Sequence, residues 1–179
     1  MILGFSTKLK DKPTFFVEKI LRGLLEQGYY EKKHDEIKKI ITDLASEKMI
    51  FYHRMWELIF EQNVKLHTFR EDKKDRWKAG MKIDFFINVR TKKMFRFAPV
   101  LPVVSTQKVL ISYEKDFYTE ETRPTVWIDN LMFYDSIKRC DFGMLQLANN
   151  DGFDTLEDFF AYFSEDFKGK IIHWTDLRY

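Results

Sequence analysis

The sequence predicts an α+β protein built around a small mixed sheet. Segments with strand and helix character follow one another as strand, helices, several strands, helix and strand, without strict alternation. Most of the strand segments are short and irregular in pattern, which favours a compact mixed or barrel-like sheet over a doubly wound one. The chain has 179 residues, 45% of them hydrophobic. It can therefore bury one core, and we expect a single domain over residues 1–179.

The first third of the chain predicts one strand followed by helices. The apolar run at residues 2–5 is a strand candidate. Apolar residues then recur at helical spacing over residues 13–26, with proline in the first turn and Gly28 placed to end the helix. The same spacing continues over residues 34–62, which predicts one long helix or two helices with a break near Ser46.

The rest of the chain predicts a sheet, a last helix and a closing strand. Asp154 followed three residues later by Glu157 has the pattern of a helix start, so we expect a helix over residues 154–163 with Gly169 at its end. Strand character is found at residues 65–70, 81–87, 95–98, 108–113, 125–133 and 170–174.

Charge and cysteine content narrow the classes of function. A net charge of +2 neither requires nor excludes a nucleic-acid partner. Cys140 is the single cysteine, no Cys/His spacing resembles a zinc site, and the chain has neither a glycine-rich phosphate loop nor a Gly-x-Ser-x-Gly motif. We therefore expect no metal or cofactor, no membrane span and a reducing, cytoplasmic setting.

The segment 65–70, Lys-Leu-His-Thr-Phe-Arg, places an amine, a hydroxyl and a guanidinium within six residues. On a regular strand Thr68 and Arg70 share a face, whereas Lys65 and Thr68 meet only if the chain bends between them. A Lys65 whose charged form is disfavoured by burial or by Arg70 would act as a base and activate Thr68 as a nucleophile. In the simpler interpretation Lys65 is solvated, Thr68 is an ordinary strand residue and Arg70 forms a surface ion pair.

Asp151 precedes the last predicted helix and admits two interpretations. Asn-Asp-Gly at residues 150–152 is a typical turn sequence, which gives Asp151 a local structural role. The alternative is a carboxylate that relays a proton or orients Lys65.

Residues 71–78, Glu-Asp-Lys-Lys-Asp-Arg-Trp-Lys, form a predicted charged loop. A run of mixed charge is usually a solvated surface. Arg76 beside Trp77 also suits a phosphate contact next to a ring that stacks on a base. The candidate ligand-binding residues of this loop are Lys73, Lys74, Arg76 and Trp77.

Together these segments resemble the ASCH domain family of PUA-like proteins. In that family a Lys-x-x-Thr-x-Arg segment is followed by a loop and a glycine-led strand, as at residues 65–70 and at 79–83, Ala-Gly-Met-Lys-Ile. The late Asp-Gly-Phe at residues 151–153 and the closing residues 171–174 are similar as well. The resemblance spans the chain, and residues 27–63 then correspond to a helical insertion.

The resemblance implies a PUA-like fold, a small mixed β-barrel with flanking helices, and a cleft for RNA or a modified nucleoside. Some members are amidohydrolases that deacylate N4-acetylcytidine. By motif position Lys65 would be the base, Thr68 the nucleophile and Asp151 the acidic partner, while Arg70 would be a structural or ligand-binding cation. Those hydrolases carry glutamate where this chain has Asp151, whose side chain is one methylene shorter.

Three functions follow from these observations. The first is an RNA- or nucleotide-binding module whose cleft lies near Lys65, Thr68, Arg70 and Asp151. The second is an amidohydrolase acting on N4-acetylcytidine-like nucleosides through Lys65 and Thr68. The third is a protein-interaction domain: the apolar face of the inserted helices either completes the core or joins two copies into a homodimer.

Overall fold

A computed structural model describes residues 1–115, 120–135 and 140–179. Within these ranges the chain contains six helices and twelve strands, so the predicted α+β class is confirmed. The chain divides into two compact units. The first comprises Met1–Leu66 and Met81–Pro102, and the second comprises His67–Gly80 and Val103–Tyr179.

The helices and strands follow one another along both units. In chain order they are β1 (Ile2–Phe5), β2 (Lys8–Leu9), β3 (Lys12–Pro13), α1 (Phe16–Glu26), α2 (Tyr29–Lys32), α3 (His34–Glu47), α4 (Tyr52–Phe60), β4 (His67–Arg70), β5 (Lys82–Ile87), β6 (Phe95–Arg96), β7 (Leu101–Pro102), β8 (Ser105–Lys115), β9 (Thr122–Ile128), β10 (Leu131–Asp135), β11 (Cys140–Asp141), α5 (Met144–Asn150), α6 (Leu156–Tyr162) and β12 (Phe167–His173). In the described ranges, none of the helices is both long enough and apolar enough to cross a membrane.

The first unit combines a small sheet with four helices. Its sheet is centred on β5, which pairs in parallel with β1 and antiparallel with both β6 and β7, while β2 and β3 form a separate antiparallel pair. Helices α1, α3 and α4 each bury one apolar stripe, as the helical spacing of the sequence predicts, whereas the short helix α2 buries no residue. Their most buried side chains include Ile20, Leu24, Ile41, Met55 and Ile59.

The second unit is built on a six-stranded antiparallel sheet. Its strand order is β11-β10-β9-β8-β12-β4, with the long strand β8 near the centre and β4 at one edge. Helices α5 and α6 add Met144, Leu147 and Phe159 to the core of this unit. The two outer strands β4 and β11 do not pair with each other, and no sheet in the described part of the chain closes into a barrel.

Helices α1, α3 and α4 differ from the predicted helical segments only at their ends, whereas the short helix α2 was not predicted. Helix α1 begins at Phe16 instead of residue 13, because Pro13 lies in β3 and Phe15 adopts a left-handed φ of 53°. Gly28, with a φ of 71°, follows the end of α1 as expected. The segment 34–62 forms two helices, and the break lies just after Ser46, where Met49 has a φ of 53°.

The predicted strand over residues 125–133 is wrong, because this segment is a hairpin of β9 and β10. Asp129 and Asn130 connect the two strands with φ values of 49° and 71°. Two consecutive left-handed residues are typical of the tightest hairpin turns, whose twist matches that of the strands. The apolar residues on both sides obscured the turn in the sequence.

Two predictions near the C-terminal end are also wrong. Thr155, and not Asp154, caps α6, since its hydroxyl accepts the amide of Asp158 at 3.0 Å. Gly169 does not end that helix but lies inside β12, where a Cβ atom would collide with the backbone of Arg70. A strand glycine often marks such a close approach of two backbones. Helix α5 was not predicted at all.

Candidate functional site

Lys65 is buried in the first unit. Its side chain belongs to a residue with only 1% exposure, and its amide donates to the carbonyl of Lys19 at 3.0 Å. The Nζ atom lies 4.8 Å from the centre of the Phe16 ring and 5.9 Å from that of Phe5. The faces of aromatic rings stabilise an ammonium group. The interpretation of Lys65 as a solvated side chain is therefore wrong.

Asp151 protects the free edge of β4 in the second unit. It follows α5, is 3% exposed, and its Oδ1 atom accepts the amide of Phe69 at 3.3 Å. The same oxygen lies 3.8 Å from Nδ1 of His67. A side-chain carboxylate on an edge strand satisfies an amide that has no neighbouring strand to bond to.

Thr68 and Arg70 lie on one face of β4, as the strand period predicts. Thr68 is buried, and burial lowers the pKa of Arg70, while Asp151 and Tyr162 act in the opposite direction. Lys65 belongs to the first unit and the other predicted catalytic residues to the second. Their convergence, and with it the hydrolase hypothesis, stays a prediction.

The charged loop 71–78 is organised around Asp72. Its carboxylate accepts the amides of Arg76 at 2.8 Å and Trp77 at 2.9 Å, and it pairs with Lys170 of β12 at 3.1 Å. Burial raises the pKa of Asp72, but these three donors together lower it below the ordinary range. Lys170 also donates to the carbonyl of Trp77 at 2.8 Å and pairs with Asp75. The loop is thus fastened to the sheet.

The four predicted ligand-binding residues of the loop differ in their exposure to solvent. Trp77 is 4% exposed, so its ring is not open to stacking on a base. Lys73, Lys74 and Arg76 are exposed, and Lys73 makes a surface ion pair with Glu71 at 3.2 Å. An ion pair of this kind between solvated side chains contributes little stability and exchanges readily.

An open groove of about 760 Å³ lies beside the loop on the outer face of the six-stranded sheet. We call it the sheet groove. Leu110 and Trp127 contribute apolar side chains to its floor. Its charged lining residues are Lys73, Lys108, Lys168, Lys170, Asp72 and Asp75.

Strand register explains how the sheet groove is assembled. Directly opposite residues on neighbouring strands point to the same face of a sheet. One row across three strands consists of Arg70, Lys170 and Lys108. The next row consists of Lys168, Leu110 and Trp127. Side chains from β8, β9 and β12 thus place Lys108, Lys168 and Lys170 beside a half-buried indole.

Sequence reasoning missed most of this groove, although part of the signal was present. Lysines occur two residues apart in the segment Lys168-Gly169-Lys170, which is the spacing of one strand face. Lys108 likewise begins a predicted strand. Trp127 had no local signal, since its cross-strand neighbours depend on pairing between segments that are distant in sequence.

A buried polar cluster lies on the opposite face of the same sheet. His67 and His173 face each other across β4 and β12, both with 0% exposure, and their ring centres are 5.3 Å apart. Nε2 of His67 lies 2.8 Å from the Tyr179 hydroxyl, which also accepts from the Asn150 amide at 2.8 Å. Burial lowers the pKa of His173 to about 4 and raises that of Tyr179. The two histidines are closed to solvent, whereas Tyr179 is only partly buried.

In the ranges that the structure describes, no group of three or more His, Cys, Asp or Glu side chains is arranged to hold a metal ion. Comparison with known proteins adds no further constraint on the site. No family model, no curated protein and no solved structure matches this chain.

Proposed function

We propose that the second unit binds RNA through the sheet groove. The observation that carries the proposal is the pair of cross-strand rows, which sets a half-buried tryptophan beside several cations on one open sheet face. Cations contact phosphates and fix the position of a nucleic acid, while an aromatic ring offers a surface to a base. The combination of both on one face is typical of RNA-binding sheets.

The distribution of charge in the groove supports an anionic ligand. Asp72 and Asp75 already pair with Lys170. The side chains of Lys108 and Lys168 are exposed and have no ion pair among the described residues. These two lysines are therefore the positions at which a phosphate meets an uncompensated charge.

The resemblance to the ASCH family and its PUA-like fold is retained within this proposal. Arg70, the last residue of the Lys-x-x-Thr-x-Arg motif, stands in the same cross-strand row as Lys170 and Lys108. Arg70 is partly buried and is not among the residues that line the groove, so the motif would support the groove through strand pairing only. The resemblance rests on the motif and on the segments 79–83, 151–153 and 171–174, and it is independent of the charge argument.

The proposal is tested by titrating labelled RNA with the full chain at several salt concentrations. We expect binding that weakens steeply between about 50 and 200 mM salt, because each phosphate contact releases counterions. The double variant Lys108→Ala/Lys168→Ala should lower the slope of log affinity against log salt by about two.

Lys38→Ala/Lys39→Ala is the matched control, since it removes the same charge from exposed positions of α3 in the first unit. It should leave most of the affinity and the salt slope intact. An absence of RNA binding at low salt would overturn the proposal. So would an equal loss of affinity in the two double variants.

We also infer that an exposed stripe on α4 joins two copies of the chain. The aromatic stripe consists of Phe51, Tyr52, Trp56 and Phe60, with ring centres of Trp56 and its neighbours at helical spacing 5.8 and 6.2 Å apart. Phe51, Phe60 and Tyr52 are 77%, 55% and 39% exposed. At about 200 Å² for a large ring, this corresponds to roughly 340 Å² of exposed aromatic surface, the size of the largest apolar patch on a typical monomer, which is often functional.

The pattern of the stripe favours a second copy as the partner. Tyr52, Trp56 and Phe60 are spaced evenly by four residues, so the stripe is nearly the same in both directions along the helix. An antiparallel copy would place Trp56 against itself and Tyr52 against Phe60, which is a two-fold contact. Arg54, beside the stripe, is already paired with Glu57 and Glu61 at 2.8 and 2.9 Å. The surroundings of the stripe therefore do not require a partner of opposite charge.

A further inference from the structure

Trp127 carries the largest type of apolar side chain, and this side chain is open to solvent on one side. It is half-buried on the outer face of β9 and lines the sheet groove, with Leu110 directly opposite on β8 and Met132 directly opposite on β10. Leu110 is 41% exposed. These neighbours support the indole from both sides and leave an apolar floor open to solvent.

One of the two uncompensated cations, Lys168, lies two strands away from Trp127 in the same row. Lys168 is opposite Leu110, which is opposite Trp127. Neighbouring strands are about 4.8 Å apart, so the backbone positions of Lys168 and Trp127 are separated by roughly 10 Å. A lysine side chain is long and flexible enough to reach a phosphate over this interval while its stem covers Leu110.

Lys170 has a different role from Lys168 in this groove. Its ammonium group is held by Asp72, Asp75 and the carbonyl of Trp77. Burial lowers the pKa of Lys170, but the hydrogen bonds to Asp75 and Asp72 outweigh that effect and raise it. Lys170 is therefore a positioning residue that holds the loop 71–78 at the end of the groove, and phosphate contacts fall to Lys108 and Lys168.

We propose that the sheet groove selects single-stranded over double-stranded RNA by stacking one unpaired base on Trp127. This inference rests on the proposed function and specifies its ligand. In a duplex each base is covered by its neighbours and offers only its edge, whereas an unpaired base presents a free face to an aromatic side chain. The floor formed by Trp127 and Leu110 is apolar and suits the face of a base. Lys168 and Lys108 donate to the phosphates beside it.

The test compares one RNA sequence as a single strand and as a duplex, each titrated with the full chain and with variants. The wild-type chain should bind the single strand more tightly. Trp127→Ala should weaken single-strand binding by roughly 5- to 150-fold, the range for loss of one base stack, which corresponds to ~1–3 kcal/mol. Duplex binding, which depends on phosphate contacts, should change less than about twofold.

Two further variants separate stacking from structural damage. Trp127→Phe keeps an aromatic face and should recover most of the single-strand affinity. Lys168→Ala should weaken the binding of both RNA forms. Thermal unfolding of each variant verifies that the sheet is intact. We expect it to be intact in the Trp127 variants, because Trp127 is only half-buried.

The two proposals fail in different ways. Equal wild-type affinity for both RNA forms, together with an unchanged single-strand affinity in Trp127→Ala, would overturn the stacking inference and leave the RNA proposal standing. A loss in Trp127→Ala that Trp127→Phe does not recover would also overturn it. An absence of any RNA binding at low salt would overturn both.

Discussion

Lys65 and Asp151 are far more buried than charged side chains usually are, and Trp77 is nearly fully buried as well. Their environments differ. Lys65 lies near two aromatic rings, the backbone carbonyl of Trp77 accepts from the Lys170 ammonium, and Asp151 accepts an amide of an edge strand. Burial limits the access of solvent to all three residues, and a catalytic role of Lys65 and Asp151 stays a prediction.

His173 is the residue whose burial has the clearest consequence for stability. Neither ring nitrogen has a hydrogen-bond partner among the described residues, and the His67 and Tyr179 rings pack against it. Burial lowers its pKa from 6.5 to about 4; Arg178 acts in the same direction and Asp129 in the opposite one. The folded state therefore binds a proton at this position less readily than the unfolded state does.

We predict that His173 makes the folded state less stable as the pH falls from about 6.5 to about 4, the window between the unfolded and folded pKa values. Above this window both states are neutral and the full stability is present. Between pH 7.5 and 5 the loss should be about 2 kcal/mol. Denaturant unfolding gives the free energy of unfolding of the wild-type chain and of His173→Phe at both pH values. The contribution of His173 is the change with pH in the wild-type chain minus the change with pH in the variant.

The packing effect of the new ring is the same at both pH values and cancels in this comparison. His53→Phe is the matched control, because His53 is exposed and should give the wild-type pH dependence. An identical pH dependence in wild type and His173→Phe would show that His173 does not titrate differently in the folded state.

Strand β12 contributes side chains both to the sheet groove and to the buried histidine cluster of the second unit. It pairs with β4 on one side and with β8 on the other. Lys168 and Lys170 project from one face, while His173 belongs to the buried cluster on the other. Gly169 sits between the lysines at the point where β12 passes closest to the carbonyl of Arg70. The geometry of the sheet groove therefore depends on a position without a side chain.

We predict that Gly169→Ala destabilises the second unit by about 1–3 kcal/mol, the usual range for inserting atoms into a packed site. The new Cβ would collide with the Arg70 backbone and the Phe167 ring, and a backbone carbonyl cannot rotate away as a flexible side chain can. Denaturant unfolding measures the change in the free energy of unfolding.

Lys168→Ala, one residue earlier on the same strand, is the control for this measurement. Its side chain is exposed, so its effect on the free energy of unfolding should stay within about 0.5 kcal/mol. A Gly169→Ala variant as stable as Lys168→Ala would mean that β4 and β12 separate easily at this point.

Taken across the whole molecule, the exposed apolar surface is unevenly distributed. The aromatic stripe places Phe51 and Phe60 in solvent within one helical region of the first unit, whereas the apolar floor of the sheet groove is flanked by lysines. The charges beside the stripe are already paired with one another, as in Arg54 with Glu57 and Glu61, whereas Lys108 and Lys168 beside the groove floor are unpaired among the described residues. The stripe therefore suits protein association and the groove suits a nucleic acid.

We predict that the chain forms a dimer whose dissociation constant rises in Phe51→Ser/Phe60→Ser. These side chains are exposed, so the substitution removes apolar contact area without disturbing the core. Sedimentation velocity over a range of protein concentrations measures the shift from dimer to monomer. Leu131→Ser is the control, since Leu131 is 75% exposed in the second unit and should leave the dimer intact.

A wild-type chain that remains monomeric at every concentration would contradict the dimer. If Leu131→Ser raised the dissociation constant equally, the association would arise from exposed apolar side chains in general and not from the aromatic stripe. RNA binding should be unaffected by Phe51→Ser/Phe60→Ser, because neither residue lines the sheet groove.

Much of the local structure could be predicted before the fold was known. Helix spacing located α1, α3 and α4, and strand patterns located β4, β5, β8 and most of β12. These signals depend on residues a few positions apart, and contacts at that distance are set by the helix and strand periods. Thr68 and Arg70 share a face for the same reason.

Contacts between segments that are distant in sequence determine which residues line the candidate site. Trp77 is buried because Lys170 closes over its loop, and Trp127 lines a groove because β8 lies between it and Lys168. Strand register decides which side chains become neighbours, and a shift of one residue would reverse every face. Local sequence carries the period of each strand, but only the assembled sheet determines which strands pair and in which register.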